Sequence, residues 1–198
     1  ENYFQQIRAQ IETFSENKMV VNAMKDFAAT FETVETEIGL TSAQRQEYKS
    51  RLESYYREQY LPKLSENLGY TANFKDYFPK DPKVQILQDL YISSNENPLG
   101  SKHELNAADD NSSYTRFHAE YHPIIKNYLE KFGFYDIFLI EPNNGNIVYS
   151  VFKEADYGTS LTSGAYSKTN FAKAFEAASK AKDTQFVKLI DFEPYHPS

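Results

Sequence analysis

The sequence predicts an α+β chain, with a helical front half followed by a short antiparallel sheet. Up to Gly133, apolar residues recur at three- and four-residue steps, which is the spacing of one helix face. After Gly133 the period shortens, and two runs rich in Phe, Tyr, Ile and Val flank a Pro-Asn-Asn-Gly turn. The resulting order, helices and then β-β-α-β, is typical of an α+β fold.

The first predicted element is one long helix over residues 1–37. Its apolar stripe runs from Ile7 to Ile38 without a proline, and Gly39 stands where a helix is expected to end. At 1.5 Å per residue, such a helix would extend roughly 55 Å, which is longer than a small domain is wide. We therefore expect it to form a stalk or to mediate a dimer.

A second helix is predicted over residues 41–68. Thr41 and Gln44 have the spacing of a capping box at its start, and Pro62 should kink or split it. The short Gly-Leu-Thr turn before it makes the first two helices an antiparallel hairpin.

The next stretch contains a short helix, a loop and a fourth helix. Asp81-Pro82 should start the short helix over 81–92, because proline is favoured in a first turn. Residues 93–113 are polar and rich in turn formers, which predicts a loop. The helical stripe returns over 114–132, where Pro123 should bend the helix.

The sheet is predicted from three short runs. Residues 135–141 and 146–153 should pair as a hairpin, and 186–192 should form a third strand after an Ala-rich helix over 170–181. Three strands make a thin sheet, so we expect further strands beyond Ser198. The chain thus divides into a helical N-terminal region, 1–110, and a sheet-containing region, 111–198.

Composition excludes several classes of function. The formal net charge of −7 leaves no basic surplus for phosphates, so nucleic-acid binding is not expected. The absence of cysteine excludes a disulfide framework, a thiol nucleophile and a cysteine-ligated metal. Nucleophile-elbow and phosphate-loop motifs are absent, and we predict neither an enzyme nor a cofactor.

Charge distribution bears on the relation to a membrane. No stretch free of charged residues exceeds eleven, so nothing in the sequence can span a bilayer. Residues 1–37 hold three basic residues against seven acidic ones, the wrong sign for anionic lipid. The chain is either wholly soluble or a soluble piece of an anchored protein.

The hairpin region resembles a known family. Its strands read Asp136-Ile-Phe-Leu-Ile-Glu141 and Gly145-Asn-Ile-Val-Tyr149, and Asp156-Tyr-Gly158-Thr-Ser-Leu161 follows. A hairpin with a Gly turn, then an acidic residue and a Gly that close the next loop, resembles the PAS-like extracytoplasmic sensor domains called Cache.

A sharper resemblance covers nearly the whole chain. It is to the Cache subfamily that precedes methyl-accepting chemotaxis modules and nucleotide cyclases in bacterial transmembrane receptors. The segments that carry it are Tyr3-Phe4-x-x-Ile7-x-x-Gln10-Ile11, Val20-Val21-x-Ala23-Met24-x-x-Phe27, Asn97-Pro98-x-Gly100-x-Lys102, His118-x-x-Tyr121-His122-Pro123, Tyr149-Ser-Val-Phe-Lys153-Glu154-x-Asp156 and Asp191-Phe192-x-x-Tyr195-x-Pro197-Ser198. This sequence departs from the commoner Asp and Phe at Glu141 and Tyr157, and it ends where that subfamily continues with further strands and a membrane helix.

The resemblance implies a ligand-sensing module of a chemoreceptor-type receptor rather than an enzyme. It also implies a membrane anchor before Glu1, a homodimer through the first helix, and a periplasmic or extracellular location on an inner-membrane (cell-membrane) protein. The fold it implies is a long-helix hairpin packed on a PAS-like antiparallel sheet, truncated at its C-terminal strands.

The candidate ligand-binding residues lie mostly around the second strand. Tyr149 and Lys153 should share a face, since alternate strand residues point to one side. Lys153 would bind a ligand carboxylate, and Asp156 or Asp191 an ammonium group. Tyr114 could supply a hydroxyl and Arg116 could clamp an anion. His118 lies beside the aromatic stripe of its helix, and Tyr195 could close a wall of the pocket. Each of these residues also has a structural alternative. Lys153 and the aspartates could lie at a solvated strand end, Arg116 could be a surface cation, and the tyrosine rings could face the core.

Two rival functions remain open from the sequence. The first is a sensor of a partner protein or of mechanical force, with the pocket collapsed and filled by its own aromatics. The second is a metal site, because His118 and His122 are four residues apart on one helix. A third ligand would have to come from His103 or His196, and Glu120 stands one position too late for a His-Glu-x-x-His motif. We therefore assign no metal.

Overall fold

The computed structural model describes residues 2–195, which form a mostly helical structure with one two-stranded antiparallel sheet. This agrees with the predicted α+β class. Glu1, with which the predicted first helix begins, and His196, Pro197 and Ser198 of the C-terminal motif lie outside the described residues.

The prediction of one unbroken first helix is wrong. Helix α1 spans Asn2–Glu16 and helix α2 spans Lys18–Ile38, with Asn17 between them in an extended conformation. The Asn17 side chain accepts a hydrogen bond from the backbone N–H of Met19, and so caps α2. The stripe continues across this break, which is why the apolar pattern does not reveal it. Gly39 ends α2 in the left-handed conformation, as predicted.

The second predicted helix stays helical from Ser42 to Leu68, and a π-helical turn instead of a break precedes Pro62. Helix α3, Ser42–Tyr55, starts at the predicted capping box of Thr41 and Gln44. A π-helical turn over Tyr56–Tyr60 then leads into α4, Leu61–Leu68. At the end of the π-helical turn, the Leu61 N–H donates to the Tyr56 carbonyl. The next residue is Pro62, which has no N–H to donate.

The middle of the chain follows the predicted order with added short turns. Helix α6 begins at Pro82 with Asp81 as its cap, and the fourth predicted helix, α7, runs from Ser113 to Phe132 with Pro123 inside it. The elements of this stretch are α5 Phe74–Tyr77, α6 Pro82–Gln88, a π-helical turn Asp89–Ser93, a 3₁₀ turn Lys102–Glu104 and α7 Ser113–Phe132.

The predicted hairpin is present, with shorter strands. Strand β1, Phe138–Ile140, pairs antiparallel with β2, Ile147–Ser150, and Leu139 lies opposite Tyr149. Gly145 closes the turn at φ +73°, where an added Cβ would lie 2.9 Å from the Thr162 Cγ2. The hairpin therefore requires glycine at this position.

The predicted third strand is wrong. Helix α8 spans Asn170–Ser179, but residues 186–192 form no strand in the described part of the chain. No neighbouring strand among residues 2–195 offers them a hydrogen-bond ladder, and Phe192 is 94% exposed. The segment is instead attached by single bonds, such as that from the Asn170 Nδ2 to the Asp191 carbonyl.

The main core lies where α2 meets α7 and β2. Phe27 of α2 is fully buried, and its ring centroid lies 5.2 Å from that of Tyr114, 6.0 Å from that of Tyr121 and 4.8 Å from that of Tyr149. One ring thus joins two helices and the sheet. A smaller cluster around Tyr166 lies beneath α8.

Replacing Phe27 by alanine should lower the free energy of unfolding by about 3–5 kcal/mol, because it leaves a cavity between α2, α7 and β2. Phe192→Ala removes the same ring from an exposed site and should change that free energy by less than about 0.5 kcal/mol. Urea denaturation followed by far-UV circular dichroism measures both. Equal effects of the two substitutions would contradict this assignment of the core.

Candidate functional site

Tyr149 of β2 is the point where the sheet contacts both long helices. Its ring stacks on Phe27 of α2, with 4.8 Å between centroids and 23° between planes. The Nε2–H of His122 donates to the carbonyl of His103 at 2.7 Å, so the Nδ1 of His122 is an acceptor. The Tyr149 hydroxyl therefore donates to that Nδ1, at 2.7 Å.

Lys153 places its ammonium group among three tyrosine rings. Its Nζ lies 4.3 Å from the ring centroid of Tyr149, 5.2 Å from that of Tyr157 and 5.8 Å from that of Tyr91. We call these three rings the tyrosine cage. Nζ also donates to the Ser150 carbonyl, and the residue is only 2% exposed. Ring faces within about 6 Å stabilise a cation, so the cage favours the charged form of Lys153.

Hydrogen bonds hold the cage in place. The Tyr157 hydroxyl donates to the Tyr114 hydroxyl at 2.6 Å, which donates in turn to the Val148 carbonyl at 2.6 Å. The Tyr91 hydroxyl is paired with the Thr115 Oγ1 at 2.9 Å. Because the hydroxyl of every ring in the cage is hydrogen-bonded, the ring faces are held in place.

The backbone of Lys153 is strained. Its φ is +57°, and among the described residues Asn111 is the one other non-glycine with a positive φ. Asparagine adopts this region readily, whereas an ordinary side chain in it costs about 1–2 kcal/mol. Strain of this kind is retained where the surroundings require it, and functional sites are the commonest place.

Two carboxylates of this region, one buried and one partly buried, each have a buried oxygen without a partner among the described residues. Asp156 is fully buried; its Oδ2 accepts from the Tyr195 hydroxyl at 2.7 Å, and its Oδ1 has no hydrogen-bond partner among residues 2–195. Asp136 accepts the backbone N–H of Val151 at 2.9 Å through Oδ1, while its buried Oδ2 likewise has no partner there. Such atoms are rare in folded proteins because their desolvation is not compensated.

The ionisation of these groups is displaced from its ordinary range. Burial raises the pKa of Asp156 to about 6, against the lowering effect of the Tyr195 hydrogen bond. Burial and the charge of Asp156 raise the pKa of Asp136. Burial lowers the pKa of Lys153, and the Asp136 charge opposes it. Perturbed groups gathered in this way are typical of functional sites.

His118 adds another unpaired acceptor. Its Nδ1–H donates to the Asn106 carbonyl at 2.7 Å, so the buried Nε2 carries a lone pair, for which residues 2–195 provide no donor. Burial, with the nearby charge of Lys153, lowers the pKa of His118 well below its ordinary value. The ring is therefore neutral near pH 7.

The two histidines do not form a metal site in this structure. Their rings stack with centroids 4.4 Å apart, but both nitrogens of His122 are engaged in hydrogen bonds. No group of three or more potential metal ligands occurs among the described residues. We therefore do not pursue the metal interpretation of His118 and His122.

Two of the predicted site residues lie elsewhere. Arg116 is exposed, and its Nη2 donates to the neighbouring Ser113 Oγ at 2.6 Å. Asp191 is exposed on the C-terminal segment. The cage brings together Tyr114, His118, Tyr149 and Lys153. Asp156 and Tyr195 form a hydrogen-bonded pair beside Tyr166.

Three residues near Lys153 were not among the predicted site residues: Tyr157, Tyr91 and Asp136. Tyr157 directly follows Asp156 in a segment that carries the resemblance to Cache domains, so the sequence could have indicated it. Tyr91 belongs to the π-helical turn after α6, and Asp136 precedes β1. Tyr91 and Asp136 come close to Lys153 through tertiary packing, which a local sequence pattern cannot predict.

A cleft of about 350 Å³ borders the cluster. Its lining includes Lys153, Ala155, Tyr55, Tyr60 and Lys102. A larger groove of about 630 Å³ lies between the α5–α6 region and residues 158–168. None of the three cage rings lines either cavity, but Lys153 lines the smaller one. The smaller cleft is the relevant one, because it contains the buried lysine.

Comparisons with protein-family models, with curated proteins and with solved structures return no match. No helix among residues 2–195 combines the length and apolar character that crossing a membrane requires. Functional inference therefore depends on the sequence motifs and on the geometry of the cluster.

The raised pKa of Asp156 predicts a pH-dependent contribution to stability. The folded state holds the proton up to about pH 6, whereas the unfolded chain releases it near pH 3.8. The associated stability is complete below pH 3.8 and is lost as pH rises through 6, by roughly 3 kcal/mol in total. Relative to wild type, Asp156→Asn should therefore become steadily more stable from pH 4 to pH 7 in urea unfolding.

Asp109→Asn is the matched control, because Asp109 is an exposed carboxylate in a loop. Its stability should run parallel to that of wild type over the same pH range. Parallel curves for Asp156→Asn and wild type would contradict the buried, uncompensated state of Asp156.

Proposed function

We propose that this chain is the extracytoplasmic ligand-sensing domain of a bacterial chemoreceptor-type transmembrane receptor, and that it binds a small polar molecule. The observation that carries the proposal is the group formed by Lys153, Asp136 and Asp156, in which Lys153 and Asp156 are buried and each carboxylate keeps one buried oxygen without a partner among residues 2–195. Apolar residues of similar volume would stabilise the fold as well or better, so a purely structural role does not account for the cluster.

The dimensions of the cleft support a small ligand. A volume of about 350 Å³ lies within the range of roughly 300–1,000 Å³ that is usual for small-molecule pockets. Its wall includes Lys153 itself, so a molecule in the cleft lies beside this lysine. The proposed activity is binding alone, without catalysis or a cofactor.

The contacts of the cluster provide a route for the signal. Tyr149 links the cage to α2 through Phe27 and to α7 through His122. Asp156 links it to the C-terminal segment through Tyr195. A ligand that favours one arrangement of these contacts would shift the equilibrium between two states by its difference in affinity for them.

The resemblance to Cache domains supports the cellular setting. On this proposal, membrane anchors flank the domain, and the domain lies on the periplasmic or extracellular side of the cell membrane. A homodimer through the first helix is consistent with α1, which has no buried residue and leaves Tyr3 68% and Phe4 58% exposed. A PAS-like sheet with additional strands belongs to the same proposal.

A second candidate is a sensor of a partner protein without a small ligand. The observation in its favour is that the cage is closed and filled by Lys153 in this structure. The two candidates differ in whether small molecules stabilise the isolated domain.

A thermal-shift panel of amino acids, carboxylates, amines and purines tests the proposal. At least one class should raise the melting temperature of the wild-type domain, because a ligand that binds only the folded state stabilises it by mass action. Asp156→Asn should lower the apparent affinity for that class by at least about tenfold, because this is the usual effect of losing one charged hydrogen bond.

Asp109→Asn should retain the wild-type affinity, since Asp109 lies on the surface. If no compound in the panel raises the melting temperature, small-molecule sensing is wrong and the partner-protein candidate is favoured.

A further inference from the structure

We propose that the tyrosine cage is the recognition site for the ammonium group of an organic amine, and that Lys153 occupies the cage as an internal competitor. This inference rests on the proposed sensing function and names the ligand class. In the closed arrangement described here, the lysine ammonium takes the place that the ligand ammonium takes when it binds.

The cage has the chemistry of an ammonium site. Three ring centroids lie within 6 Å of the Lys153 Nζ, and aromatic boxes of this kind are the usual means by which proteins bind organic cations. The rings are fully buried and fixed through their hydroxyls, so the site is organised in advance. Preorganisation lowers the entropic cost of binding a guest.

Several buried hydrogen-bond acceptors near the cage have no donor among the described residues. The Oδ2 of Asp136, the Oδ1 of Asp156 and the Nε2 of His118 are all buried acceptors without a partner among residues 2–195. A ligand with N–H groups supplies what these atoms lack. A carboxylate ligand would add further acceptors and a negative charge beside two aspartates, so the geometry favours an amine with N–H donors.

Lys153 can leave the cage at modest cost. Its backbone is held at φ +57°, a conformation that an ordinary side chain avoids, so release of the turn relieves strain. The residue also lines the cleft, where its displaced ammonium would reach solvent. The cleft thus serves both as the path for the ligand and as the place for the displaced side chain.

Displacement also accounts for how binding is transmitted. Lys153 is three residues before Asp156, whose carboxylate holds Tyr195 of the C-terminal segment. A change in the backbone at Lys153 therefore reaches that contact directly. The cage occupied by Lys153 is the ligand-free arrangement, and the apparent affinity for an amine is reduced by the fraction of time that Lys153 spends inside.

Isothermal titration with n-butylammonium chloride tests the inference on wild type and two variants. Lys153→Gly removes the competitor and suits a positive φ, whereas Lys153→Asn also tolerates that φ and is too short to fill the cage. Wild type should bind n-butylammonium, and both variants should bind it at least tenfold more tightly. Tetramethylammonium, which has no N–H donor, should bind more weakly than n-butylammonium. Sodium butyrate, of equal length and opposite charge, should not bind.

Two controls locate the effect in the cage. Lys168→Gly removes an exposed lysine and should leave the affinity for n-butylammonium unchanged. Tyr149→Leu in the Lys153→Gly background removes one ring face, and it should weaken amine binding at least tenfold. Circular dichroism confirms that each variant is folded before titration.

Four outcomes would overturn the inference. If n-butylammonium binds wild type and both variants equally, Lys153 does not compete with the amine. If it binds only the variants, it fills a space that the substitution opens, and the wild-type domain does not recognise amines. If butyrate binds wild type and this binding is lost in both variants, the lysine is a carboxylate anchor; the ligand class is then wrong while the sensing function stands. If neither these probes nor any member of the thermal-shift panel binds, the sensing function fails as well.

Discussion

The Tyr149 ring joins α2, α7 and the cage through three contacts. The ring packs on Phe27 of α2, its hydroxyl donates to His122 of α7, and it forms the nearest wall around the ammonium of Lys153. The same side chain therefore belongs to the hydrophobic core, to a hydrogen-bond network between two elements and to the candidate ligand site. A movement of the cage must alter the packing of the helices, because no separate layer lies between them.

The cluster is kept at a cost in stability. A lysine at positive φ, two carboxylates with raised pKa and an imidazole acceptor without a donor each disfavour the folded state relative to an apolar core. Around them, the structure follows the usual rules of capping and burial closely. The combination of a caged lysine, a strained backbone and unpaired acceptors is what directs the functional interpretation to the cage.

Local chemistry made much of the fold predictable. The capping box at Thr41, the left-handed Gly39 and the glycine turn of the hairpin each follow from the preferences of a few adjacent residues. Asn17 was missed because a one-residue break leaves the apolar stripe in phase. Residues 186–192 have the composition of a strand, but a strand needs a partner, and composition cannot report whether one is present.

The site was predictable only in part, for a related reason. Tyr149 and Lys153 were paired through strand alternation, yet β2 ends at Ser150, and it is the left-handed turn at Lys153 that brings them together. Strand alternation therefore pointed to the correct pair of residues, but it does not explain their contact. Tyr91 comes from a distant π-helical turn, so its place in the cage depends on the packing of the whole helical region.

The position of the lysine side chain tests the central claim most directly. In a spectrum of the wild-type domain labelled with ¹³C at lysine side chains, the Cε and Hε resonances of Lys153 should be shifted upfield by the three ring faces that surround its ammonium. Saturation with n-butylammonium should move these resonances to the values of solvent-exposed lysines. If the Lys153 resonances remain upfield while the amine is bound, the amine does not displace the lysine and the account is contradicted.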